Sequence, residues 1–386
     1  MSRTLTWLTE PPRRGPLRPG AFSSPLRSAR LTSLLGIALA VAFGICFVTG
    51  VLSHLIQQPP GWFRWPSRPA GLYRFTQGLH VATGLAVVPL LGAKLWSVYP
   101  RLFTWPLLRG AAHAAERLSV AALVAAALFQ VVSGILNTAY WYAPMPFFFT
   151  AAHYWVAWLA IGALLVHIGV QLPAVRRAGP PVPGETVGRR QVLLAAGAAA
   201  GVITIATVGQ TVRPLAAVSV LAPRRPGTGP QGLPVNRTAA AAGVQESAMD
   251  PAYRLTVTGF GRSVELSRAD LAALPQHTAV LPIACVEGWS AVGTWSGVRL
   301  RDLAALVGAD LAGCEAQVES LQPAGRYRTS VVAGPHLADG ATLIALRLGG
   351  EDLALDHGYP ARLIAPNRPG VLQTKWVDRI TLRSVR

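Results

Sequence analysis

Five apolar runs constrain this 386-residue chain more than any other feature: residues 31–56, 72–99, 116–138, 149–172 and 191–212. Each reaches or exceeds the ~20 residues that a helix needs to cross about 30 Å of hydrocarbon. Lipid offers the backbone no hydrogen-bond partner, so such runs fold as helices with every amide bonded internally. The first half of the chain is therefore expected to be an all-α membrane bundle of five transmembrane helices, with membrane lipid as its solvent.

Charge then orients the bundle. The net charge is +18, but residues 1–222 hold 18 Lys/Arg against three acids (Glu10, Glu116, Glu185), while residues 223–386 hold 17 against 14. The excess is thus +15 in the apolar half and +3 in the rest. It sits in a tail and short loops, where membrane topology accounts for it, and no basic nucleic-acid-binding face is expected. Arg3, Arg13, Arg14, Arg18, Arg27 and Arg30 precede the first run; Arg101, Arg109 and Arg117 flank the second loop, and Arg176, Arg177, Arg189 and Arg190 the fourth. The 139–148 loop carries aromatics and no charge. This pattern predicts a cytoplasmic tail over 1–30, with no signal peptide evident, and places everything after the fifth run outside the cytoplasmic membrane.

Beyond the membrane runs the texture changes. Residues 213–250 are rich in Pro, Gly, Ala and Arg and read as a linker. From Tyr253 the sequence alternates in short β patterns, and Ser267-Arg-Ala-Asp270 forms a capping box opening a helix to Leu274. A second short helix over 299–307 and strands near 316–321, 328–333, 342–347 and 362–366 predict an α+β domain over 251–386.

Three cysteines suit neither a disulfide framework nor a CxxC metal site. Cys46 lies within an apolar run and reads as packing. Cys285 follows the strand-like run Ala279–Ile283 and precedes Gly288-Trp289. By itself it is either a core residue or a ligand. Cys314 reads as structural, although a pairing with Cys285 is conceivable.

Ionisable groups at membrane depth are costly and usually functional. His153 and His167 lie 14 residues apart on one predicted helix, which puts them on one face and roughly 21 Å apart along its axis. His80 on the second helix stands at a depth comparable to His153, and His113, at the entrance to the third, near that of His167. This pattern over 31–175 resembles the four-helix cytochrome b subunits that carry electrons between quinone and an oxidoreductase. The resemblance implies haem b, with His80 and His153 as outer ligands and His113 and His167 as a possible inner pair. Lys94 occupies the place where a second ligand on helix two would be expected, and His54 is a spare partner or a quinone contact. In the 176–212 segment, Gly188-Arg-Arg-Gln-Val-Leu-Leu194 resembles a twin-arginine export signal, with Gly188 in place of the usual Ser/Thr; positive-inside anchoring is the alternative, and an outward, cofactor-loaded domain downstream favours export.

Motifs in the last third recur in one order: Tyr253-Arg-Leu-Thr-Val-Thr-Gly259, Cys285-Val-Glu-Gly-Trp289, Trp295-Ser-Gly-Val-Arg-Leu-Arg-Asp-Leu303, His357-Gly-Tyr-Pro-Ala-Arg-Leu-Ile-Ala-Pro366 and Lys375-Trp-Val377. Together they resemble the molybdopterin domain of the sulfite oxidase family, bacterial periplasmic branch. That likeness implies that Cys285 is the protein's sulfur ligand to molybdenum. It also implies that Arg362 and Lys375 hold the cofactor phosphate, that His357 contacts the pterin, and that Tyr327 and Ser330 border the metal pocket. Soft sulfur ligands suit such a metal, and a forked guanidinium suits phosphate. The expected function is oxygen-atom transfer on a small-molecule or protein sulfoxide-like substrate, with electrons from quinol. Oxidation of sulfite or a related oxyanion, and a metal-free tethered binding module, are the alternatives. Arg299, Arg301, Arg326 and Arg328 are candidates for an anion site.

Overall fold

The computed structural model describes Ser24 and residues 26–102, 110–177 and 185–385. Arg3, Arg13, Arg14, Arg18 and Arg109 of the topology argument lie outside the described residues. The chain divides into two compact units, one of Met1–Val51 with Leu79–Thr207, the other of Leu52–Gly78 with Val208–Arg386.

The first unit is built from long helices: α1 (Ala29–Gln57), α2 (Leu72–Leu102), α3 (Ala111–Thr138), α4 (Phe149–Arg177) and α5 (Glu185–Val208). Each contains a span long and apolar enough to cross a membrane. Large apolar side chains stand outward: Val48, Trp155 and Val202 are 65%, 68% and 68% exposed. In water that surface would oppose folding; in hydrocarbon it costs nothing, which is why these helices are apolar all round rather than along one stripe. Polar side chains return to helix carbonyls, as Thr49 Oγ1 does to Ile45 O (2.7 Å) and Ser133 Oγ to Phe129 O (2.6 Å).

The second unit holds two five-stranded sheets. In one, β1 (Arg254–Gly259) lies between β2 (Arg262–Ser267) and β10 (Val377–Ser384), and β5 (Cys314–Ser320) and β6 (Thr329–Ala333) continue from β10. The β1–β10 pair is parallel and the others antiparallel. In the other, β3 (His277–Ala284), β4 (Ser290–Arg299), β7 (Leu343–Leu348) and β8 (Glu351–Asp352) follow in order, and β9 (Arg362–Ile364) pairs with β7. Leu255, Val257, Val298, Leu303, Val318, Ile344 and Ile380 form the main core, where each buried side chain contributes about 1.5–3 kcal/mol. Gly297 lets β4 cross β7 closely, since a Cβ there would stand 2.1 Å from the Ile344 carbonyl oxygen. The capping box at Ser267 opens the short helix Arg268–Ala273 as the sequence predicts, with Ser267 Oγ accepting from the Asp270 amide. Strand β10 is absent from the sequence-based strand assignments.

Two segments differ from the sequence-based expectation. Residues 213–250 read as a linker, yet they belong to this compact unit. Thr238 caps the helix Ala239–Ala242, Gly243 ends it in the left-handed region (φ 68°), and Ala239, Ala242, Val244 and Ala248 pack around Trp376. Small residues that suggest flexibility are here what fits against an indole. The ends of α1 and α2 and the loop between them also belong to this unit. Their anchor is Asn367, 2% exposed and left-handed (φ 54°). Its N–H donates to Ala70 O (3.1 Å) and its Nδ2 to Pro66 O (2.6 Å); its Oδ1 accepts from the Tyr73 amide (2.6 Å) and its carbonyl from Trp65 Nε1 (2.9 Å). Arg68 adds a two-pronged contact to Asp339 (2.9 and 2.8 Å).

Candidate functional site

Strands β3 and β4 are antiparallel with Ala284 opposite Ser290, so residues 285–289 form the tip of their hairpin. The Cys285 amide donates to Trp289 O (2.9 Å) and the Gly288 amide to Cys285 O (3.1 Å). Gly288 sits at φ 89°, a conformation favouring a residue without Cβ. Trp289 Nε1 donates to the Glu287 carboxylate (3.0 Å), which folds the acid back into the turn. The result is a sulfur held at a fixed point, 2% exposed. Asn236 Nδ2 donates to it at 2.8 Å, and the Glu287 and Val286 amides also bond to it.

All three cysteines are free, with Cys314 buried on β5. Burial, and then the nearby Glu287 carboxylate, push the Cys285 thiol far above its ordinary value. A thiol so placed stays protonated until a cation replaces the proton. Among the described residues no group of three or more His, Cys, Asp or Glu could hold a metal. A metal at Cys285 would therefore take its remaining ligands from a cofactor.

A buried cationic cluster supplies the counterpart. Arg362 on β9 is 3% exposed; it donates to the His357 carbonyl (3.0 Å) and lies 5.2 Å over the Trp295 ring, while its Nε has no partner among the described residues. Arg368, a separate buried cation near His336, also has an Nε without a partner among the described residues. Burial pulls both guanidinium groups down to about 10. Lys375 Nζ donates to Arg237 O and Asp356 O (2.7 Å each), and burial, then Arg362, lower it well below the usual lysine range. His357 is pushed down to about 4 by burial and then Arg362, so its neutral ring donates through Nε2 to Pro230 O (2.7 Å). Gly358, at φ 113°, brings these side chains together: a Cβ there would stand 3.1 Å from the Cβ atoms of both Arg362 and Lys375. Buried guanidinium nitrogens without partners among the described residues are donors that an anionic, polar cofactor satisfies. The residues fit.

Of the residues picked from sequence, His357, Arg362 and Lys375 thus form one cluster. Ser330 Oγ bonds Thr374 Oγ1 (2.7 Å), next to Lys375 in the chain. Tyr327 donates from its hydroxyl to Gln57 Oε1 (3.5 Å), and both it and Cys285 lie close enough to Tyr73 to act on its phenol. Arg301 and Arg328 each face a carboxylate, Asp302 at 3.8 Å and Glu319 at 3.9 Å. Asn236, Arg368 and Gln373 are absent from the sequence-based set. Asn236 sits in the stretch that composition marks as a linker; its signal is the run Leu233-Pro-Val ahead of the helix cap Thr238.

The membrane unit brings His80 and His153 together, ring centroids 6.3 Å apart. An iron held by two imidazole nitrogens at about 2 Å each puts ring centres about 6 Å apart. Each Nδ1 is engaged, that of His80 with Cys46 O (2.8 Å) and that of His153 with Ser133 Oγ (2.9 Å). Each Nε2 is left without a hydrogen bond among the described residues. A metal-bound imidazole is oriented in this way, through its other nitrogen. On α1, Gly50 makes room, as a Cβ there would stand 2.9 Å from His80 Cε1. His167 makes no ring contact with a second histidine among the described residues, and so none with His113. Lys94 Nζ donates to Thr32 O (2.8 Å).

Residues 241–386 match the family model described as the oxidoreductase molybdopterin binding domain. This part of the chain thus matches a molybdopterin-binding oxidoreductase domain. Among curated relatives, the "Putative protein-methionine-sulfoxide reductase subunit YedZ1" of Azospira oryzae is 35% identical over 129 residues, 33% of this chain and 48% of that protein. Mitochondrial sulfite oxidase of Mus musculus is 33% identical over 164 residues, 35% of this chain and 30% of that protein. The sulfane dehydrogenase SoxCD of Paracoccus pantotrophus aligns over 34% of this chain and 38% of that structure, at 23% identity and a TM-score of 0.32. The chain spans less than half the length of each of these relatives.

Proposed function

We propose that this protein is a membrane-bound molybdopterin oxidoreductase that exchanges an oxygen atom with a sulfoxide-like substrate outside the cytoplasmic membrane and draws electrons from quinol through one b-type haem. The observation that carries this reading is the Cys285 turn: a buried sulfur, bonded by Asn236, in the same domain as the buried cations Arg362, Arg368 and Lys375. When bound, the cofactor supplies a two-electron metal centre with open positions for oxygen. The chain's own residues do the rest. Cys285 provides the thiolate; Arg362, Arg368 and Lys375 bind the anionic end of the cofactor; His357, neutral, orients against Pro230. His80 and His153 would hold the haem, which supplies one-electron transfer.

The relative named as a methionine-sulfoxide reductase subunit supports the sulfoxide side of the reading. The arginine pattern of the loops supports an outward C-terminal domain. Lys94, bonded to a helix carbonyl at the position where an inner ligand would stand, favours one haem over two.

Metal and haem analysis of the detergent-purified protein tests the proposal. One molybdenum and one b-type haem per chain are expected, and Cys285→Ser is expected to abolish turnover with the haem spectrum unchanged. Full activity in that variant would remove Cys285 from the reaction.

A further inference from the structure

The Cys285 turn has a support that the motif comparison does not assign. Gln77, on α2 and within the same compact unit, is 4% exposed, and its Nε2 donates to Val286 O at 3.3 Å. Its Oε1 accepts from Ser53 Oγ (3.0 Å) and lies 3.4 Å from the Tyr73 hydroxyl; Ser53 Oγ and the Tyr73 hydroxyl are 3.2 Å apart. Gln57 Nε2 donates to Ser53 Oγ (3.1 Å), which extends the network along α1. Tyr73 is 1% exposed and packs with Ile56 against Ala284, the residue before Cys285. Ala284 also bridges to Pro369, two residues from Asn367, whose backbone and side chain are bonded to residues 65–73. Both neighbours of Cys285 in the chain, Ala284 and Val286, are thus held by residues of α1 and α2.

We infer that Gln77, with Ser53 and Tyr73, is a positioning residue for the Cys285 sulfur, so that the molybdenum site is completed by the outer ends of the first two long helices. The inference rests on Cys285 being the metal ligand. The physical case is that buried polar groups form a network only where each is satisfied, and that partners behind a metal ligand set its orientation. A leucine at 77 keeps the volume and removes both ends of the link, leaving Val286 O without that donor.

The test compares Gln77→Leu with Ser53→Ala and Tyr73→Phe in the full-length protein. Hydrogen exchange of the Cys285 and Gly288 amides, measured on protein from a host unable to make the cofactor, is expected to quicken about tenfold or more in Gln77→Leu. In loaded protein the Mo(V) electron paramagnetic resonance signal is expected to change shape, with molybdenum content and the haem spectrum retained. Turnover with a dye donor is expected to fall 10–100-fold, in keeping with partners behind a metal ligand. Ser53→Ala and Tyr73→Phe should shift exchange and signal in the same direction by less, and they stand in if the leucine variant does not accumulate. Parental exchange and an unchanged Mo(V) signal in all three variants would overturn the inference. Cys285→Ser separates the two readings. If it keeps the parental Mo(V) signal, the ligand assignment fails; if it loses that signal while the Gln77 series is silent, only the positioning role fails.

Discussion

Cys285 is set apart by what surrounds the sulfur rather than by the residue itself. An amide donor at 2.8 Å and two backbone amides would favour a thiolate, yet burial and Glu287 outweigh them, so the free thiol keeps its proton. Cofactor binding must therefore displace a proton there. His336 offers a cleaner titration, 7% exposed and pushed down from 6.5 to about 4 by burial and then Arg368. Unfolded, the ring takes up a proton near pH 6.5; folded, it does so only near pH 4. The unfolded chain thus binds the extra proton between these values, and stability falls as pH drops through that window. At full extent the loss is on the order of 3 kcal/mol. His336→Gln is expected to flatten this part of the dependence, read as the denaturant midpoint of the C-terminal domain between pH 7 and pH 4.5.

Among the elements, α1 to α4 each bring something to one level of the membrane unit: Gly50 and Cys46 from α1, His80 from α2, Ser133 from α3, His153 from α4. Replacing His80 or His153 by Ala is expected to remove the b-type haem spectrum, while His167→Ala keeps it. A pyridine haemochrome assay distinguishes these outcomes. The five helices were legible in the sequence because hydrocarbon imposes length and apolarity on the chain. The capping box and the strands of the first sheet, β10 apart, were legible because caps and alternation are local. Asn236 and the helices around Trp376 were not. Alanine and glycine packed on an indole look, residue by residue, like a flexible tether, and only the tertiary partner tells the two apart. Arg368 was hidden for a related reason, since a guanidinium in a loop reads as surface until its burial is known.

For the whole molecule, one chain joins a helical membrane unit to a molybdopterin domain, and the relatives of the chain carry names as different as a reductase subunit and an oxidase. The proposed outward placement makes a separable prediction. Changing Arg189 and Arg190 to Lys conserves charge, so positive-inside anchoring would survive, whereas an export signal read as paired arginines would not. Protease accessibility of the C-terminal domain in spheroplasts is expected to drop in the double variant. The Asn367 anchor carries a consequence for how the protein is made. Trp65 and Asn367 are 302 residues apart. At synthesis rates of about 5–20 residues per second, the loop after α1 exists for roughly 15–60 s before its partner does. During that interval the Trp65 indole and the backbone groups of Pro66, Ala70 and Tyr73 depend on water or a helper for their hydrogen bonds. The cofactor domain can close only after the last tenth of the chain has emerged, which makes its completion a late event in the life of each new molecule.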